Sequence, residues 1–192
     1  MISRSQLKRE AKEALKPHHW IAVGVSVVAS LIIGVLSGTF VGALFAPMLS
    51  FGVCSFYMNL VANNQAKFEN LFTDTFSNFL KKWGAVWLVA LYTALWSLLF
   101  YIPGLVKSYS YAMTYYIMLD HPEMGINEAI TESRRMMDGY KWKLFVLDLS
   151  FIGWHLLCMI PVVGTLIGIL YVTPYKATTR AAFYEELKAV NG

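Results

Sequence analysis

The sequence predicts an all-α, polytopic membrane bundle: six transmembrane helices arranged as three hairpin repeats, with amphipathic helices on the cytoplasmic side. Composition is the first observation behind this. The chain is 57% hydrophobic and only 15% charged, with a mean hydropathy of +0.50, whereas ordinary globular chains carry roughly 25% charged residues. Charge is scarce where a bilayer is the solvent, because an ionised side chain at its centre costs about 2.5–3.5 kcal/mol on insertion scales. The second observation is an internal repeat. The pattern W-x-L-L-x-x-I-P at Trp96 to Pro103 recurs without a gap at Trp154 to Pro161, 58 residues later, and each copy ends one apolar run and opens another. Pro47, 56 residues before Pro103, marks a weaker third copy. The third observation is where the basic residues fall: fifteen of the sixteen lie between alternate pairs of apolar runs.

The elements follow in order within one membrane domain, residues 1–192. Residues 1–19 hold an amphipathic helix opened by a Ser3/Gln6 capping box. Its apolar face is Leu7, Ala11, Ala14 and Leu15, and its basic face, Lys8, Arg9, Lys12 and Lys16, suits anionic headgroups. Residues 20–62 form the first hairpin, entered at the interfacial anchor Trp20 and turned before Pro47. Along it Ala22, Ser26, Ser30, Gly34, Gly38, Gly42 and Ala46 recur every fourth position. Small residues in such a stripe let helix backbones approach closely, so Ser30, Gly34, Gly38 and Gly42 are expected to form a packing seam.

Residues 67–82 read as an aromatic-rich helix lying flat in the interface, with Phe68, Leu71, Phe72, Phe76, Phe79 and Leu80 on one face. The second hairpin, residues 83–120, has spans at 83–102 and 105–119 joined through Pro103-Gly104. Residues 126–139 are an amphipathic helix ended by Gly139. The third hairpin, residues 141–192, turns at Pro161 and leaves the bilayer after Pro174 as a more polar helix. With the N-terminus inside, the inner segments hold those fifteen basic residues and the outer turns hold none, which places both termini in the cytoplasm.

Lys107 is the exception. It shares a helical face with Tyr111 and Tyr115 at i, i+4, i+8 and neighbours Ser108. An intramembrane lysine needs a reason: either it snorkels to the outer headgroups, or with the hydroxyls it faces a cavity that receives a lipid phosphate or another anionic amphiphile. Asp148 is the matching acid, with Lys176, Arg180 and Tyr116 expected near its depth and His155 on its face, as an intramembrane polar network. Cys54 and Cys158 fall inside apolar runs and support neither a disulfide nor a metal site. His18-His19 and Asp120-His121-Pro122-Glu123 lack further ligands in sequence, so no metal is expected. No nucleophile elbow, zinc-protease helix, phosphate loop or dinucleotide fingerprint occurs, so neither enzymatic activity nor a cofactor is expected.

Further residues carry a resemblance. Ile102-Pro103-Gly104 with Lys107 to Tyr111, Glu132 to Gly139, Lys141 to Trp154, Pro174-Tyr175 and Thr179 to Leu187 are similar to blocks of the domain of unknown function 975 family, multi-pass membrane proteins common in Firmicutes. More distantly, the hairpin plan resembles the membrane domain attached to some glycerophosphodiester phosphodiesterases. The resemblance implies a bacterial plasma-membrane protein and transfers no catalytic or binding residue.

The function expected from these readings is a non-enzymatic bundle that binds or organises a lipid or other amphiphile. A small transporter or scramblase is the alternative, and a regulatory or scaffold subunit of a membrane complex a further one. The partners expected are membrane lipids, with anionic headgroups at the cytoplasmic face, and a second copy of the chain or another membrane protein; nucleic acid is not among them, since the net charge of +4 is spread between apolar runs.

Overall fold

The chain starts with two helices that run into one another. Ser3 caps the first: its hydroxyl accepts from the Gln6 amide at 3.3 Å and the Gln6 side chain accepts from the Ser3 amide at 2.9 Å. Helix α1 (Arg4–Leu15) passes through a single tight turn, Lys16–His18, into α2 (His19–Ser37). Pro17 sits in that turn, where its missing N–H is least costly. The computed structural model describes residues 3–191 except 64, 66, 100 and 155–166, and the described residues contain helices, turns and no strand.

The apolar face of α1 does not lie on a membrane surface. Leu7, Ala11 and Leu15 are buried against the last helix and α4 (Leu49–Asn63). A protein surface of matching shape competes better for that stripe than headgroups do, because it removes the apolar area from water completely. Only the basic face of α1 stays outside.

After α2 comes a short helix α3 (Phe40–Phe45) and a tight turn at Ala46–Met48 carrying Pro47. Thr39 organises the bend, accepting from the Gly42 amide at 3.0 Å and donating to the Leu36 carbonyl at 3.1 Å. Helices α2 and α4 then lie side by side, pinned by a buried bond of 2.7 Å between the Ser26 and Tyr57 hydroxyls. Arg4–Ser37 and Gly42–Asn63 are the two described stretches long and apolar enough to cross a bilayer.

The expected interfacial helix at 67–82 is instead a break. Helix α5 (Asn70–Phe76) folds back onto α4, with Leu71 and Thr75 packed against Gly52 so closely that any Cβ there would meet the Leu71 backbone. Asn78, at φ +49°, reverses the chain into α6 (Phe79–Leu99); asparagine tolerates this left-handed conformation better than most residues. Leu71 is fully buried while Phe68, Phe72, Phe76 and Leu80 stay exposed. Trp83 and Trp87 both donate their indole N–H to the Leu44 carbonyl, at 3.2 and 3.3 Å, which ties the start of α6 to the α3 bend.

The expected fourth span at 105–119 is likewise two helices, α7 (Tyr101–Ser110) and α8 (Thr114–Asp120). The turn between them is buried, and a residue of α9 (Ile126–Met136) repairs it: the Ser133 hydroxyl donates to the Ser110 carbonyl at 2.8 Å and accepts from the Met113 amide at 3.2 Å. Irregular backbone is tolerated away from water only where a neighbour satisfies it in this way. Helix α9 opens with the Gly125 amide donating to Glu128 at 2.7 Å and is followed by Gly139 at φ +75°, the left-handed residue the sequence required there. In the third hairpin, α10 (Lys141–Leu149) ends in a turn at Ser150-Phe151. The expected turn at Pro161 and most of the second repeat copy lie outside the described residues. The chain resumes in a widened, π-helical turn, Gly168–Val172, that leads directly into α11 (Thr173–Asn191).

The core sits where α4, α8, α9 and α11 meet, filled by Phe51, Phe56, Tyr57, Leu60, Met113, Ile117, Met137 and Leu187. Helices α6 and α7 pack mainly on each other. Trp87, Leu91, Leu95 and Leu98 of α6 remain exposed along one side.

Candidate functional site

Lys107, the off-pattern lysine, is half-buried with its ammonium 4.5 Å from the ring centre of Trp96 on α6, a cation–π contact. Tyr111 is buried in the α7–α8 turn beside Tyr92, ring centres 6.3 Å apart. Tyr115 packs 4.7 Å from Phe51 on α4. Ser108 returns its hydroxyl to the Leu105 carbonyl of its own helix at 2.7 Å. These four side chains therefore do not converge on one cavity. The i, i+4, i+8 register that would align them is lost because the helix breaks between Ser110 and Thr114.

The structure does bring Asp148 together with its expected partners. Arg180 of α11 clasps the carboxylate in a two-point bond, Nη2 to Oδ2 at 2.5 Å and Nε to Oδ1 at 3.3 Å. Lys176 stands 3.8 Å from Oδ1, and Tyr109 donates to Oδ2 at 3.3 Å. The forked guanidinium fixes α11 against α10 in one register, where a lysine would act only as a point charge. Tyr116 does not join this network directly; it stacks on Tyr184, ring centres 5.1 Å apart. His155 lies outside the described residues.

The small-residue stripe divides in two. Ala22 and Ser26 are buried beneath Tyr57, and Gly42 is buried in the bend against the Leu36 carbonyl. Ser30, Gly34 and Gly38 face outward, and a Cβ on Gly34 would meet nothing.

Two polar groupings went unseen in the sequence. Lys82, read as a topology charge, is only 5% exposed: it donates to the Asp74 carbonyl and to Ser77 Oγ at 2.8 Å, while the Asp74 carboxylate takes a bond from Ser55. At the far end of α11, Asp120 accepts from Tyr184 at 2.8 Å and from Lys188 at 2.7 Å. Burial opposes the charge on Lys188, but the bond to Asp120 and the Glu185 carboxylate outweigh it and hold the ammonium above its ordinary range. Burial, and then the bond to Asp120, push the Tyr184 phenol up as well.

Two cavities lie at the helix bends. A nearly wholly apolar one of about 390 Å³ lies between the α2–α4 bend and α5–α6, walled by Ile32, Leu36, Phe45, Phe72, Phe76 and Phe79. The other, of about 420 Å³, occupies the elbow between α1 and α2. Its walls are Lys12 from α1, Lys16 and His18 from the tight turn, His19 and Trp20 from the start of α2, and Tyr171 and Tyr175 from the π-helical turn and α11. Pro174 explains the turn's shape: with no N–H at 174 the preceding ladder is interrupted, and the Thr173 amide reaches back five residues to the Gly168 carbonyl. Tyr171 on this widened turn stands 6.2 Å from His19, 5.9 Å from Tyr175 and 5.6 Å from Trp154, centre to centre.

Two helices long and apolar enough to cross a bilayer, in an all-helical fold, are weak evidence for membrane association. Residues 98–191 match the model of a family described as protein of unknown function (DUF975). No curated protein and no solved structure matches it.

Proposed function

We propose that this chain is a multi-pass protein of a bacterial plasma membrane that binds or organises a lipid or other amphiphile and does no chemistry on it. The α2–α4 hairpin is the part that crosses the bilayer, and the remaining helices pack around and beside it. The observation that carries the reading is the apolar cavity beside the two candidate spans. At about 390 Å³ it is within the usual size of small-molecule sites, roughly 300–1,000 Å³, and its aromatic and aliphatic walls offer a hydrocarbon tail contacts but no hydrogen bonds. Phe45, Phe72 and Phe76 are partly exposed at its edge, so a tail can enter from the side without unfolding a helix.

Native mass spectrometry of the full chain released from nanodiscs tests this. Wild-type protein is expected to retain a defined lipid mass, and Leu36→Trp, which fills the cavity, to lose it. Equal lipid retention in both proteins would count against the cavity as the tail site.

A further inference from the structure

The elbow cavity is a different kind of place from the apolar one. We propose that it binds a phosphate-bearing anion, so that the chain grips an amphiphile at the headgroup as well as the tail; this rests on the amphiphile-binding reading above.

The argument starts on the basic face of α1. Lys8, Lys12 and Lys16 follow one another at i, i+4, i+8 and form a row of like charge. Lys8 is accounted for inside the fold: its ammonium lies 4.2 Å above the Phe151 ring and 3.5 Å from the Ser150 carbonyl. Lys12 and Lys16 line the cavity, and neither has a carboxylate within ion-pair distance among the described residues. Two adjacent cations in one concave site repel each other, and an anion between them removes that cost.

The other walls supply what a phosphate also needs. His19 brings an imidazole N–H. The Tyr171 hydroxyl has no hydrogen-bond partner among the described residues, whereas the neighbouring Tyr175 hydroxyl is already committed to the Lys8 carbonyl at 3.4 Å. Tyr171 is carried here by the π-helical turn, a distortion that recurs at functional sites. Trp20 borders the cavity and is 79% exposed, at the start of a candidate span, where tryptophan settles at headgroup level. That position favours a phosphate arriving on a lipid.

The test uses full-length protein in nanodiscs of phosphatidylcholine mixed with phosphatidylglycerol, with retained lipid read by native mass spectrometry. Wild type is expected to keep phosphatidylglycerol in preference to phosphatidylcholine. Lys12→Gln/Lys16→Gln is expected to weaken that preference roughly 25-fold, about five-fold for each charge, and Tyr171→Phe to weaken it by less. Lys141→Gln/Lys143→Gln, which removes the same charge elsewhere, is expected to leave it unchanged. Loss of phosphatidylglycerol to added inorganic phosphate or glycerol phosphate identifies the phosphate itself as the recognised group; resistance to both assigns recognition to the intact lipid headgroup, and either result supports the site. Equal preference in wild type and the Lys12/Lys16 variant, or an equal loss in the Lys141/Lys143 control, would overturn the proposal while leaving the tail site standing. Retention of neither lipid by wild type would overturn both.

Discussion

Ser133→Ala isolates the device that lets the chain break a helix inside its core. The side chain is fully buried, and its hydroxyl joins the Ser110 carbonyl to the Met113 amide across the α7–α8 turn. Alanine keeps the methylene and removes both bonds. The backbone amide four residues on does not take over the Ser110 carbonyl, since Thr114 already donates to the Tyr111 carbonyl at 3.1 Å. A buried backbone group left unpaired costs about 1–3 kcal/mol, so two of them, offset by no longer burying the hydroxyl itself, give about 2–4 kcal/mol. For a chain of this size a loss of 1 kcal/mol moves the melting midpoint by roughly 2–4 °C, so a fall of about 5–15 °C is expected. The assay is thermal unfolding of purified protein in a mild detergent, followed by circular dichroism. Thr131→Ala is the comparison: it lies two residues away on the exposed side and loses only a bond to the Asn127 carbonyl of its own helix. If Ser133→Ala melts within error of Thr131→Ala, the turn does not depend on the serine and the reasoning fails.

Asp148→Asn keeps the shape of the Arg180 clasp but removes the charge facing Arg180 and Lys176. A destabilisation of about 2–4 kcal/mol is expected in the same unfolding assay, and Asp148→Asn combined with Arg180→Met should recover part of it; no recovery would show that the pair is not coupled. The Asp120 cluster sets an alkaline limit. Both Lys188 and Tyr184 are held above their ordinary values, so their contribution is complete below about pH 10, where the unfolded groups titrate, and fades as the pH rises beyond it. Melting midpoints taken from pH 8 to pH 11 are expected to fall more steeply for wild type than for Lys188→Gln/Tyr184→Phe, and parallel curves would exclude the cluster as the cause.

Much of the helical plan was legible because apolar periodicity and caps are local signals. Ser3 with Gln6, the Pro47 turn and Gly139 mark boundaries through backbone chemistry alone, and each stands where the sequence placed it. The pairing of Asp148 with Lys176 and Arg180 was legible because so few charges stand in apolar runs that each narrows the choice of partner for the others. What escaped was decided by tertiary contact. The α7–α8 break has no proline or glycine at residues 110–114; a hydroxyl 20 residues away makes it affordable, and the only trace is Ser133 standing in the apolar stripe of its helix. The α5 reversal depends on Gly52, which belongs to no stripe, and the burial of Lys82 on an accommodating Asp74 and Ser77. The elbow cavity needed the π-helical turn to bring Tyr171 within reach of residues more than 150 positions earlier, a distance no local pattern spans.

The seating of α1 has a consequence for how the protein is made. Leu7, Ala11 and Leu15 leave the ribosome more than 150 residues ahead of α11, which supplies much of the surface that covers them. Until then the N-terminal helix carries a bare apolar stripe beside a row of lysines, a form suited to waiting on the anionic face of the membrane. Arrival of α11 exchanges that lipid for protein and closes the α1–α2 elbow in the same step. A chain interrupted before residue 173 would keep much of that stripe uncovered.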